Sequence, residues 1–193
     1  MLKYRQRIIV KLGHISMTFE EKTISSKVVY EGPVFKIRQH LVETIGGQSQ
    51  RDVVEHSGGA IMVAVTDEGK IIVEKQFRKP LEMDFLELPA GKADPNEEPE
   101  VTAVRELHEE TGYIAGHVKH LVSFYPTCGY SNEFLHIYLC KDLTKGEKHW
   151  DKDECIELIE MYPDEIIEKI KTGEIQDSKT IIGVLYAKMM NEI

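Results

Sequence analysis

The sequence predicts an α+β fold, a sandwich of sheets and helices preceded by a small antiparallel sheet. Three observations carry this reading. Short apolar runs bounded by Gly, Pro and Asp turns fill residues 26–75. A stretch of helical spacing lies between Pro99 and Gly112. Further strand-like runs then give way to two helical segments near 163–171 and 177–191.

Taken in order, V-V-Y-E-G-P-V-F-K-I, a polar return at Gly46-Gly47 and Arg51-Asp52-Val53-Val54-Glu55 read as the small sheet, over residues 19–57. Gly59-Ala60-Ile61-Met62-Val63-Ala64-Val65, a turn at Asp67-Glu68-Gly69 and Ile71-Ile72-Val73-Glu74-Lys75 read as a hairpin opening a second sheet, within a main domain over 58–193. Pro99 suits the first turn of a helix and Gly112 its C-terminal cap, so a helix is expected over about 99–111. Strand-like segments follow at 121–125, 134–139 and 156–159. Residues 1–18 carry Lys3, Arg5, Arg7 and Lys11 without an acid, and are expected to be a flexible extension or to precede a start at Met17.

A chain of 193 residues suits one domain with a small appendage, and can bury a sizeable core. Cys128, Cys140 and Cys155 are an odd number without metal-site spacing, which points to free thiols and a cytoplasmic setting. A net charge of -9 argues against nucleic acid as a partner, because that mode needs basic patches. No apolar run approaches the roughly 20 residues that span a bilayer, so no membrane partner is expected.

The chemistry concentrates between Gly91 and Tyr113. Glu106 faces Glu109 and Glu110 at helical spacing, and like charges there destabilise a helix by a few tenths of a kcal/mol, roughly, per pair. A hard divalent cation would compensate them. At about 100° per residue, Val101, Val104, Leu107, His108 and Thr111 share one face, read as the core face, and Glu106 and Glu110 point elsewhere. His108 therefore reads as a core histidine, outside the site. An EF-hand spacing that would favour calcium is missing.

The run Gly91, Glu97, Arg105, Glu106, Leu107, Glu109, Glu110, Gly112 resembles the Nudix box, G-x5-E-x7-R-E-U-x-E-E-x-G-U, with Tyr113 in place of the usual aliphatic residue. The resemblance implies a Nudix α/β/α sandwich with the N-terminal antiparallel sheet as an appendage. It also implies hydrolysis of a nucleoside diphosphate linked to another group. A diphosphate repels hydroxide, so such chemistry calls for cations, here Mg2+ or Mn2+. By the family pattern Glu106 and Glu110 are the principal metal ligands, Glu109 is a third with a catalytic part, and the Ala90 carbonyl assists. Arg105 orients the glutamates, with Glu97 as its partner.

Beyond the box, Glu74-Lys75-Gln76-Phe77-Arg78-Lys79-Pro80 and Phe85-Leu86-Glu87-Leu88-Pro89-Ala90-Gly91 are similar to the ADP-ribose pyrophosphatase branch. That similarity implies that Arg78 holds a phosphate or the terminal ribose and Arg51 lies near the adenosine. Glu87 would touch substrate or metal. Glu154 would be the general base, with Asp153 in reserve. Cys128 departs from the proline expected sixteen residues after Gly112. ADP-ribose is therefore the first expectation and another nucleoside diphosphate sugar, ADP-glucose or a GDP-hexose, the second; a non-catalytic ADP-ribose sensor is the third. The resemblance also implies a homodimer built through the N-terminal sheet.

Overall fold

The computed structural model describes residues 20–146 and 155–193. The extension expected over 1–18 lies outside them. Three sheets organise the described chain. The first is an antiparallel meander of β1 (Lys22–Glu31), β2 (Lys36–Thr44) and β3 (Gly47–Glu55) in the order β1-β2-β3. Gly32 and Pro33 break the first apolar run into two strands, and the Gly32 N–H donates to Phe35 O across that turn.

The other two sheets form the main body. Strand β4 (Gly59–Ala64) pairs antiparallel with β7 (Ala90–Lys92) and parallel with β9 (Leu135–Lys145), and β9 pairs antiparallel with β8 (Tyr113–Phe124). Strand β5 (Ile71–Arg78) lies between β10 (Ile156–Met161) and β6 (Met83–Glu87). The hairpin expected from 59–75 is therefore not formed. A single bridge, Val65 to Ile71, joins the two runs, which then diverge into separate sheets. Each run is apolar on both faces and is buried between two layers, so neither needs the other as a partner.

Burial follows the strand period. Ile61 and Val63 of β4 pack with Ile137, Leu139, Val73, Leu88 and Val184, the last from α3 (Ser178–Met189). Ala60, Met62 and Ala64 face the other way, onto Ala103 and Leu107 of the acidic helix. Helices thus cover both sides of β4, an α/β/α arrangement with α2 (Pro163–Thr172) and α3 on one side and α1 (Pro99–Glu106) on the other.

Among the described residues, hydrogen bonds at two places hold the N-terminal sheet to this body. The turn after β8 returns along β3, where Val54 N–H donates to Tyr130 O at 2.8 Å and Asn132 N–H to Val54 O at 3.1 Å. Lys92 Nζ reaches Pro33 O at 3.1 Å.

The acidic helix differs from its expected form in two ways. After Glu106 it widens into a π-helical turn over Leu107–Thr111, closed by Gly112 at φ 72°, whose N–H donates to His108 O. The buried face runs through Thr102, Ala103, Leu107, Glu110 and Thr111, whereas Val101 and Val104 are 56% and 40% exposed. The expected core face was therefore rotated. Small side chains at Thr102 and Ala103 let the helix approach β4 closely, and larger valines are left outside. Core and carboxylates do not point apart, because Glu110 is buried with the core residues.

Candidate active site

The turn from β6 through Leu88 and Pro89 into β7 passes directly beneath the acidic helix. Ala90 N–H donates to Glu110 Oε2 at 3.0 Å, which fixes a buried carboxylate against the backbone. Next to it, a Cβ on Gly91 would overlap the Glu106 carboxylate, so only glycine permits this approach. Glu106 and Glu110 therefore converge on the Ala90-Gly91 segment from one helix.

Arg105 balances the crowded charge. Its Nε and Nη2 donate to Glu97 at 3.0 and 2.8 Å, and its Nη1 donates to Glu106 and Glu109, both at 2.8 Å. Nη2 also donates to Lys92 O at 3.1 Å, which ties the helix to the loop. Three carboxylates raise the guanidinium pKa further above its ordinary value, with Glu97 contributing most. Arg105 in turn holds the Glu97 carboxyl down to about 2, with help from the Asp94 amide and Thr102 hydroxyl. Like-charge repulsion along the helix is thus answered first by an internal cation.

Arg78 and Glu87 form a second charged group beside the first. They lie on β5 and β6, and Arg78 Nε and Nη2 donate to the two Glu87 oxygens at 2.7 and 2.8 Å. The Glu87 side chain is 3% exposed and that of Arg78 is 42%, so the pair is anchored inside and opens outward. Lys179 of α3 also donates to Glu87 Oε2. Burial pushes the Glu87 carboxyl upward, and the two cations more than offset this, leaving its pKa below the ordinary value. Strand β6, which carries Glu87, runs on through Leu88 and Pro89 to Ala90, whose amide holds Glu110, so this group lies next to the acidic helix.

The expected residues are thus unequally assembled. Ala90, Glu106, Glu109, Glu110, Arg78 and Glu87 lie together. Arg51 does not join them within one chain, since it donates to Glu21 at 2.8 and 2.5 Å and to Ser49 and Gln50, all in the N-terminal segment. Glu154 and Asp153 lie outside the described residues. Lys179 and Thr180 were not singled out by the sequence, for they carry no local motif and stand 92 residues from their partners. His108 is half-buried beside Gly146 instead of lying in the core.

Carboxylate oxygens and a backbone carbonyl gathered at one loop fit a hard divalent cation. Among the described residues no three such side chains already form a cage, because Arg105 engages Glu106 and Glu109 and the Ala90 amide engages Glu110.

The NUDIX domain pattern matches residues 56–182, which hold both this loop and the acidic helix. The chain belongs to the NUDIX family. It is 43% identical to the methanol dehydrogenase activator of Bacillus methanolicus, over 91% of this chain and 96% of that protein. It is 39% identical to the ADP-ribose pyrophosphatase of Bacillus subtilis (strain 168), over 89% and 95% of the two chains. A crystal structure of an ADP compounds hydrolase superposes with a TM-score of 0.79 over 90% of this chain and 95% of that one; at 16% identity it speaks to the fold alone.

Proposed function

We propose that this protein hydrolyses the diphosphate bond of ADP-ribose to AMP and ribose 5-phosphate, assisted by Mg2+ or Mn2+. The observation that carries the reading is the convergence of Glu106 and Glu110 on Ala90-Gly91, at the end of the strand whose Glu87 holds the partly exposed guanidinium of Arg78. One edge of such a site suits cations and the other suits phosphate oxygens. The relative from Bacillus subtilis, named ADP-ribose pyrophosphatase, supports the choice of substrate.

Glu106, Glu110, Glu109 and the Ala90 carbonyl would hold the cation, which supplies charge neutralisation at the phosphates and a more acidic water. Arg78 offers its free edge to a phosphate, and Glu87 acts through Arg78 by fixing the guanidinium plane. Arg105 tethers Glu106 and Glu109 through one guanidinium nitrogen, which limits how far these ligands can move when a cation draws them together. Glu154, or Asp153 in its place, takes the proton from the attacking water.

Arg51 would reach the adenosine in the neighbouring protomer of a homodimer. All ten residues of β1 are exposed in the single chain, including Ile24, Val28, Val29 and Tyr30, and an edge strand of that kind suits a second copy. Three free cysteines fit a cytoplasmic protein. Among the described residues no helix is long and apolar enough to cross a membrane.

The test is a panel of ADP-ribose, ADP-glucose, GDP-hexoses and ATP with and without magnesium, with products identified. Magnesium-dependent release of AMP and ribose 5-phosphate is the expected result. Preference for another sugar moves the assignment within nucleoside diphosphate sugars, and tight binding without turnover would mean a sensor. The 43% identity to a methanol dehydrogenase activator favours a second reading, in which a dehydrogenase is the protein partner. Adding this protein to a methanol dehydrogenase and measuring its rate tests that reading.

A further inference from the structure

The Arg78–Glu87 pair raises a question of charge. A guanidinium locked bidentate onto a carboxylate is neutralised by it, and a neutral pair is a poor receptor for a diphosphate. Here the carboxylate has a second cation. Lys179 Nζ donates to the same Glu87 Oε2 that accepts from Arg78 Nη2, and Lys179 is itself only 14% exposed. Two positive charges thus stand against the one negative charge of Glu87.

Asp177 is the other neighbour of Lys179, at 3.0 Å. Asp177 Oδ2 also accepts from Thr180 N–H at 2.9 Å and Thr180 Oγ1 at 2.6 Å, capping α3, and its charge belongs to the group: two cations face two carboxylates, and removing Lys179 would leave the group net negative. Thr180 Oγ1 in turn accepts from Leu88 N–H at 2.7 Å, one residue beyond Glu87. The first turn of α3 is therefore pinned to the strand that carries Glu87, and Lys179 has no freedom to drift from it.

On the Arg78 side, Nε and Nη2 are spent on Glu87, and Nη1 has no partner among the described residues. The Arg78 side chain as a whole is 42% exposed. Donor capacity is thus left on Arg78, in a group that Lys179 keeps from becoming net negative.

We propose that Lys179 is a positioning residue for the substrate diphosphate: by satisfying the buried Glu87 carboxylate it leaves Arg78, which that carboxylate orients, with an unspent positive edge for a phosphate. The proposal rests on Arg78 binding a phosphate, as in the function proposed above. Lys179 touches no substrate. It acts by cancelling Glu87, so its removal weakens anion binding more than it slows the chemistry.

The experiment uses the full chain in magnesium chloride, with inorganic pyrophosphate as the probe, titrated calorimetrically into wild type, Lys179→Met, Lys179→Arg and Arg78→Ala. Lys179→Met keeps the apolar stem and removes the charge; it should weaken pyrophosphate roughly tenfold, as expected for one nearby charge under partial screening. Lys179→Arg should bind within about twofold of wild type, since it keeps the charge. With ADP-ribose, Lys179→Met should raise KM by a similar factor and leave kcat within about twofold.

Wild-type pyrophosphate affinity in Lys179→Met, while Arg78→Ala binds weakly, would overturn the proposal. So would a fall in kcat with KM unchanged, or equal defects in Lys179→Met and Lys179→Arg. Should Lys179→Met fail to fold, Lys179→Gln retains one donor without the charge and carries the same expectation. A wild-type protein that binds pyrophosphate but does not hydrolyse ADP-ribose would sink the substrate assignment alone, and the pyrophosphate series would still decide the role of Lys179.

Discussion

The amide of Ala90 donates to the buried carboxylate of Glu110 across 3.0 Å, joining the loop after β6 to the acidic helix twenty residues later. Loop position and carboxylate orientation are therefore one structural quantity, and a change at either should disturb the other.

Glu110→Gln keeps an amide oxygen able to accept from Ala90 N–H and removes the charge. Activity on ADP-ribose should fall at least about a hundredfold, as for loss of a principal ligand, while stability stays within about 1 kcal/mol. Turnover assays and urea unfolding of the same preparation check this, and full activity in the variant would remove Glu110 from the ligand set.

Gly91→Ala puts a methyl group where the Glu106 carboxylate lies. The carboxylate is the far end of a flexible side chain, so the fold should survive with a loss of about 1–2 kcal/mol. Because Glu106 must swing away, kcat/KM should drop by roughly tenfold or more. Unaltered kinetics would show that the close approach has no part in the site.

Arg105→Ala leaves Glu97, Glu106 and Glu109 without their shared cation. The variant should lose about 2–3 kcal/mol, less than for a wholly buried pair because the guanidinium is partly exposed. Magnesium should then raise the melting temperature of the variant by more than it raises that of wild type, since a bound cation replaces the missing charge. Thermal melts with and without magnesium separate this from simple loss of packing.

Glu97 makes stability fall in acid. Its folded pKa, about 2, lies below the ordinary carboxylate value of 4.5, so protons bind more readily to the unfolded chain. Its contribution is complete above about pH 4.5 and fades as the pH falls toward 2. Unfolding free energy measured from pH 6 to pH 2 should accordingly decline less steeply in Glu97→Gln than in wild type; parallel curves would contradict it.

Much of this molecule was legible in its sequence, for identifiable reasons. Pro99 and Gly112 mark helix ends by backbone geometry that few other residues share, and the structure ends its helical segment at both. The rotation of the core face was not legible. Val101 and Val104 look like core by hydrophobicity, yet contact with β4 selects Thr102 and Ala103 for their small size. Likewise the sheet change between Val65 and Ile71 leaves the local turn chemistry unaltered, because it depends on β9 and β10 arriving later in the chain. Crowded glutamates pointed to a counter-cation, and Arg105 was recognisable as its protein part through the box spacing. Lys179 had no such spacing to reveal it, only a partner 92 residues away.

The bond from Leu88 N–H to Thr180 Oγ1 has a consequence for how the protein is made. Strand β4 must also wait for its parallel neighbour, Gly59 for Leu135, before the sheet can close. Such distant pairings are slow to form. During synthesis the loop carrying Ala90 leaves the ribosome long before α3 exists to brace it, so the emerging chain should acquire its active-site geometry late and nearly at once, when α3 docks.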